Sequence, residues 1–202
     1  SITPVNETLL KDTSVSFVGS ATSGIDHIDL EYLEKSNIKF AHAPGSNARS
    51  VAEYVLSSLF AIAELKGFSL ANKTVGVIGC GQIGSRLVSF LRALGINCLL
   101  NDPPLAQTET SEHYVELEAI FDADIITLHV PLNYEGEFAT HKLINKHFLD
   151  QLKKDVILIN TSRGEVIDEP SLITFKKTNP DASLILDVWC NEPRINLELL
   201  EQ

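Results

Sequence analysis

The sequence predicts an α/β fold: a doubly wound parallel sheet, open rather than closed into a barrel. Two observations carry this. From Lys73 onward, short apolar runs rich in β-branched residues alternate with segments of helical periodicity. That alternation implies βαβ units and a sheet with both faces covered, and the units are too few to close a barrel. The composition agrees, because 44% hydrophobic and 21% charged residues is the balance of a globular domain.

Residues 1–43 differ from the rest of the chain. Val15 to Gly19 reads as a short strand, Asp29 to Lys35 as a short helix and Lys39 to Ala41 as another strand. Together they look like part of a second, smaller α/β unit. Pro44-Gly45-Ser46-Asn47 forms a turn with a capping residue, so the domain boundary is placed near Pro44, giving domains 1–43 and 44–202. Arg49 to Lys66 is the longest helix, with few charges and many apolar positions, a pattern expected of a helix buried between layers or subunits.

Thr74 to Gly79 is a buried strand with a glycine stop, and Gln82 to Leu94 carries Ile83, Leu87, Phe90, Leu91 and Leu94 on one helical face. Gly95 ends that helix. Further strands are expected at Asn97 to Asn101, Ile125 to Val130, Val156 to Asn160 and Leu184 to Val188, with helices between them at 113–121, 142–152 and 168–178.

Charge narrows the partners. Sixteen basic against 27 acidic residues give a net charge of −11 and a pI near 4.9. Such a surface repels phosphate backbones and anionic lipid, so neither nucleic acid nor a membrane is expected as a partner. No apolar run approaches the ~18 residues of a membrane span, and no export signal is visible at the N-terminus. Cys80, Cys98 and Cys190 are too few and too scattered for a disulfide framework or a zinc site, which points to reduced thiols, no metal and a cytoplasmic location. A chain that begins at Ser1 and contains no methionine is expected to be part of a longer one.

Gly79-Cys80-Gly81-Gln82-Ile83-Gly84 fits G-x-G-x-x-G, between a predicted strand and a predicted helix. In this Rossmann-type context Gly79 permits the tight turn, Gly81 lets the backbone approach a pyrophosphate, and Gly84 allows close helix–strand packing. The helix N-terminus then supplies the local donors that an anion needs on an acidic protein. Asp102 ends the next strand about 20 residues on, where a carboxylate accepts from ribose hydroxyls and repels a 2′-phosphate; NAD is the expected cofactor. Its alternative reading is a strand-terminating Asp before Pro103-Pro104.

Ligands of open α/β sheets sit at the carboxyl ends of the strands. His129-Val130-Pro131-Leu132 ends one strand there, with Pro131 expected to stop the ladder and aim carbonyls into the crevice. Asn160-Thr161-Ser162-Arg163-Gly164 ends the next. The Arg163 guanidinium fork suits bidentate capture of a carboxylate, with a structural role as the alternative. Asp187-Val188-Trp189 ends another strand, and Glu192-Pro193 follows in a turn where an exposed loop acid is the plain alternative.

The order of these motifs, with Ser50-Val51-Ala52-Glu53 on the long helix, resembles the D-isomer-specific 2-hydroxyacid dehydrogenase family over nearly the whole chain. The resemblance implies a Rossmann domain plus part of a smaller flavodoxin-like α/β substrate domain, NAD as cofactor, a small phosphorylated 2-hydroxy acid as substrate and a homodimer. It implies that Arg163 orients the substrate carboxylate and that Glu192 holds a catalytic histidine. It sets Gln82 and Ile83 under the pyrophosphate, Asp102 on the ribose, Val130, Thr161 and Asp187 along the cofactor, and Ser1 and Thr22 on the substrate. Val130 departs from the pattern, where relatives can carry Thr. The family's histidine follows the glutamate, whereas the six histidines of this sequence all precede Glu192, so it is expected beyond Gln202; His129 is the rival. Other substrates of the same fold (phosphoglycerate, glyoxylate, D-lactate), a non-enzymatic NAD-sensing corepressor and a methyltransferase are the competing readings, the last leaving Arg163 and Glu192 without a purpose.

Overall fold

The computed structural model describes residues 3–21 and 24–200, so the sequence-predicted positions Ser1 and Thr22 lie outside the described residues. The chain divides into two compact units, Ser1–Arg49 and Ser50–Gln202.

The first unit contains helix α1 (Glu7–Leu10), strand β1 (Phe17–Ser20), helix α2 (Leu30–Lys35) and strand β2 (Lys39–His42). The strands pair in parallel from Phe17↔Lys39 to Ser20↔His42, and α2 makes the crossover. Asn6 and Asp29 start the two helices by accepting from the backbone N–H groups of Leu9 and Tyr32.

Helix α3 (Ala48–Lys66) begins where the two units divide. Ala52, Val55, Leu59 and Ala63 form its buried stripe against the core of the second unit. Tyr54, Phe60 and Leu65 are 42%, 49% and 81% exposed. The helix is therefore buried along one stripe, not on several faces.

The second unit is built on β3 (Thr74–Ile78), β4 (Asn97–Asn101), β5 (Ile125–Leu128), β6 (Ile157–Asn160) and β7 (Ser183–Leu186). All pair in parallel in the order β4-β3-β5-β6-β7. Its helices are α4 (Gly84–Ala93), α5 (Pro103–Ala106), α6 (Lys146–Asp150), α7 (Glu169–Thr178) and α8 (Leu197–Leu200). Strands β3, β5 and β6 are almost wholly buried because apolar clusters cover both faces of the sheet. One holds α3 and α4 residues against Val75, Val77, Ile125 and Ile159. The other packs α6 and α7 residues against Ile126, Leu128 and Leu158. This is the doubly wound sheet that the strand–helix alternation predicts.

Two helix expectations are corrected. Residues 113–121 do not form an α-helix: Tyr114 bridges Leu100 in parallel, and the Val115 N–H donates to the Leu100 carbonyl at 2.7 Å. The open edge of β4 offers a pairing partner that outcompetes a helical turn, and only a 3₁₀ segment, Leu117–Asp122, follows. The helix expected over 142–152 shrinks to α6, because Ile144 bridges Ile167 and Lys142 takes a positive φ of 53°. Helical geometry begins only where the Asn145 side chain accepts from the Phe148 N–H at 3.1 Å.

Candidate functional site

Sheet register assembles the site. Ile78 pairs with Asn101 on one side and Leu128 on the other, Leu128 pairs with Asn160, and Asn160 with Leu186. The residues that follow these partners are Gly79, Asp102, His129, Thr161 and Asp187. They therefore leave the sheet along one carboxyl edge, on both sides of β3, where the chain changes winding direction. Open α/β sheets bind ligands at such a point.

The glycine loop follows β3. Gly79 has φ +90°, and a Cβ there would lie 2.6 Å from the His129 carbonyl oxygen. A Cβ on Gly84 would lie 2.0 Å from the Gly79 carbonyl oxygen, so the start of α4 rests directly on the turn. Gly81 is different: its Cβ position has nothing within 4 Å, leaving the loop's outer face open. No side chain caps α4 at Ile83. Exposed Gln82 brings in a cation that sequence reasoning missed, since the Arg86 guanidinium donates to its carbonyl at 2.7 Å and its Oε1 at 3.0 Å. The i, i+4 spacing of Gln82 and Arg86 on a predicted helix was the available signal. Cys80 is buried, and burial, with Asp102 beside it, pushes its thiol up to about 12; it is a packing residue, not a nucleophile.

Asp102 directly follows β4 and makes two structural bonds there. Its Oδ1 accepts from the Leu105 N–H at 3.1 Å, capping α5, and its Oδ2 accepts from the Cys80 N–H at 2.7 Å, tying β4 to the glycine loop. An ionised carboxylate offers about four acceptor sites, so each oxygen keeps one for a ligand.

On the other side of β3, Val130 is half-buried against the core. The Pro131 carbonyl accepts from the Thr140 hydroxyl, so it is engaged within the protein. His129 lies between two hydroxyls, its Nε2 3.0 Å from Thr127 Oγ1 and its Nδ1 3.1 Å from Thr161 Oγ1. Burial pushes its pKa down to about 4, so the imidazole is neutral near pH 7.

The β6 turn is tied down by Asn160, which is 1% exposed. Its Oδ1 accepts from both the N–H and the hydroxyl of Ser162, and its Nδ2 donates to the Arg163 carbonyl at 2.9 Å. The half-buried Arg163 donates from Nη1 to the Ser162 carbonyl at 2.7 Å. Gly164 fits against the next loop so closely that a Cβ would lie 2.1 Å from the Trp189 carbonyl carbon and 2.4 Å from the Cys190 nitrogen. This contact joins the loop carrying Arg163 to the loop carrying Glu192. Exposed Glu192 accepts from the Trp189 N–H through Oε1 at 2.8 Å, leaving Oε2 toward solvent or a partner. Asp187 is exposed, and its N–H donates to the Asn160 carbonyl at 3.0 Å.

Among the described residues no group of three His, Cys, Asp or Glu side chains could hold a metal ion. No helix among them is long and apolar enough to cross a membrane.

With the sheet, glycine loop and strand-end residues in place, sequence comparison defines the class. Residues 46–202 match the family model described as D-isomer specific 2-hydroxyacid dehydrogenase, NAD binding domain, and the chain belongs to that family. Among curated proteins it is similar to the erythronate-4-phosphate dehydrogenases of Proteus mirabilis and Salinibacter ruber. They are 48% and 47% identical, over 100% of this chain and 54% and 53% of theirs. The chain thus spans about half the length of these relatives. Among solved structures it is similar to the NAD⁺-bound 3-phosphoglycerate dehydrogenase of Entamoeba histolytica, with a TM-score of 0.79 and 29% identity over 95% of this chain and 63% of that one. It is also similar to the D-lactate dehydrogenase of Aquifex aeolicus complexed with NAD and lactic acid. There the TM-score is 0.76 and the identity 29%, over 98% of this chain and 69% of that one.

Proposed function

We propose that this chain provides the NAD-binding domain, and residues 1–43 part of the substrate domain, of an enzyme that oxidises 4-phospho-D-erythronate. The products would be 2-oxo-3-hydroxy-4-phosphobutanoate and NADH, a step of vitamin B6 biosynthesis. The observation that carries the cofactor assignment is the row of Gly79, Asp102, Thr161 and Asp187 along one carboxyl edge, beside a loop whose face is open at Gly81. That opening and the start of α4, which no side chain caps, suit a diphosphate, and the remaining Asp102 acceptor sites suit ribose hydroxyls. The substrate assignment rests on 48% and 47% identity to proteins named for erythronate 4-phosphate, against 29% to those named for 3-phosphoglycerate and lactate.

Bound NAD⁺ supplies the hydride acceptor. Arg163, fixed at its carbonyl by Asn160, presents a planar fork that orients the substrate carboxylate and the C2 oxygen. Glu192 orients the imidazole that takes the hydroxyl proton. His129 is poorly suited to be that base, because both ring nitrogens already meet hydroxyls and its pKa of about 4 leaves it little affinity for a proton at pH 7. Ser1 and Thr22 are assigned to the substrate. The exposed Tyr54, Phe60 and Leu65 of α3 support a homodimer.

The test is NADH formation by the full-length protein with 4-phospho-D-erythronate, 3-phosphoglycerate and D-lactate, and NADH consumption with glyoxylate. Preference for 4-phospho-D-erythronate is expected. Preference for another substrate would move the chain to that branch, and tight NADH binding without any turnover would make it a sensor.

A further inference from the structure

The Thr127–His129–Thr161 chain has a direction. Thr127 is 0% exposed, and among the described residues its hydroxyl meets one polar atom, His129 Nε2 at 3.0 Å. A buried hydroxyl with one available acceptor donates to it, since leaving a buried O–H orphaned is costly. Nε2 is then the accepting nitrogen, and a neutral imidazole carries its hydrogen on Nδ1. The Nδ1–H donates to Thr161 Oγ1 at 3.1 Å. Thr161 spends its oxygen as acceptor, while its own hydroxyl hydrogen has no acceptor among the described residues. Thr161 is 8% exposed and stands at the carboxyl edge beside His129.

We infer that Thr127 and His129 form a directional hydrogen-bond relay that makes Thr161 a donor to an acceptor oxygen of the ligand seated at the ends of β5 and β6. His129 is thus a positioning residue, acting through Thr161. The inference rests on the reading of that ligand as the dinucleotide. Reversing the relay would leave the Thr127 hydrogen in the sealed core with no acceptor. Burial also keeps the imidazole neutral, preserving Nε2 as an acceptor.

The tautomer can be read without any ligand. Nitrogen-15 NMR of the unmutated full-length protein at pH 7 should show a protonated Nδ1 and an unprotonated Nε2 for His129; the reverse pattern overturns the relay. For NADH binding, Thr161→Val should raise Kd about 5- to 13-fold, the upper half of the range for one neutral hydrogen bond. Thr127→Val, which touches no ligand, should raise it about 3-fold or more while Thr127→Ser restores it. In the Thr161→Val background Thr127→Val should change Kd by less than 2-fold. A purely structural Thr127 would shift unfolding alone or act equally in both backgrounds, and either result overturns the relay. If the unmutated protein fails to bind NADH, the dinucleotide reading fails, and the tautomer still decides the relay.

Discussion

The glycine loop allows its two jobs, folding and binding, to be separated by one methyl group at a time. In Gly84→Ala the added carbon would lie 2.0 Å from the Gly79 carbonyl oxygen, a backbone atom in a turn that is itself fixed by a positive φ. More than an ångström of displacement is needed, and overpacking without room to relax costs about 3 kcal/mol, at the upper end of its usual range. For a domain of this size that lowers the melting temperature by about 10 °C. In Gly81→Ala the methyl meets nothing within 4 Å, so the fold loses no contact. Restricting the unfolded chain would even stabilise it by about 0.4–1 kcal/mol. The same methyl occupies the open face where a diphosphate oxygen would approach. Losing one charge-assisted hydrogen bond costs about 1.5–3 kcal/mol, or about 10- to 150-fold in Kd. Thermal unfolding and NADH calorimetry on both variants make the test. If Gly81→Ala binds NADH as tightly as the unmutated protein, the loop does not cradle the diphosphate. If Gly84→Ala melts unchanged, the packing argument is wrong.

Three more outcomes are expected. Asp102→Ala should narrow the preference for NADH over NADPH, measured as a ratio of Kd values, and should cost about 1 kcal/mol by uncapping α5. Arg163→Lys should lower kcat/KM for the hydroxy acid at least 10-fold in the full-length enzyme while NADH affinity stays nearly unchanged, because an ammonium cannot replace a planar fork. His129 predicts a pH effect on stability. Its folded pKa of about 4 lies below the unfolded value of about 6.5. Its contribution is therefore complete above pH 6.5 and is lost as pH falls toward 4, where the unfolded chain takes a proton that the folded one refuses. That loss is up to about 3 kcal/mol, and His129→Asn should flatten the slope of unfolding free energy across this window in urea titrations.

The sheet was legible in the sequence because β3, β5 and β6 are buried on both faces and so read as continuous apolar runs. The Gly79–Gly84 motif was legible because its spacing reflects sterics that the structure confirms at Gly79 and Gly84. Edges and short elements were not. Tyr114 and Val115 meet β4 through a single bridge at Leu100, too little to impose a period-two pattern. Helices α1, α5 and α8 span four residues each, below one amphipathic repeat, and Pro103-Pro104 suits a plain turn as well as the first turn of a capped helix. At the site, strand-end residues could be found by position. The partnership of Thr127 with His129 could not, because Thr127 looks like an ordinary β-branched core residue until the structure brings its hydroxyl to 3.0 Å from His129 Nε2.

The contact at Gly164 has a further consequence. Main chain there touches main chain, at Trp189 and Cys190, so the separation between the two loops is fixed by atoms that every residue type shares. The side chains of Arg163 and Glu192, proposed above to act on the substrate, are not part of that contact. Loop spacing and side-chain chemistry are therefore encoded at different positions. Side chains around Arg163 can be substituted without touching that contact, so the spacing stays constant. A change at Gly164 has no such freedom, because it would move the whole loop pair at once.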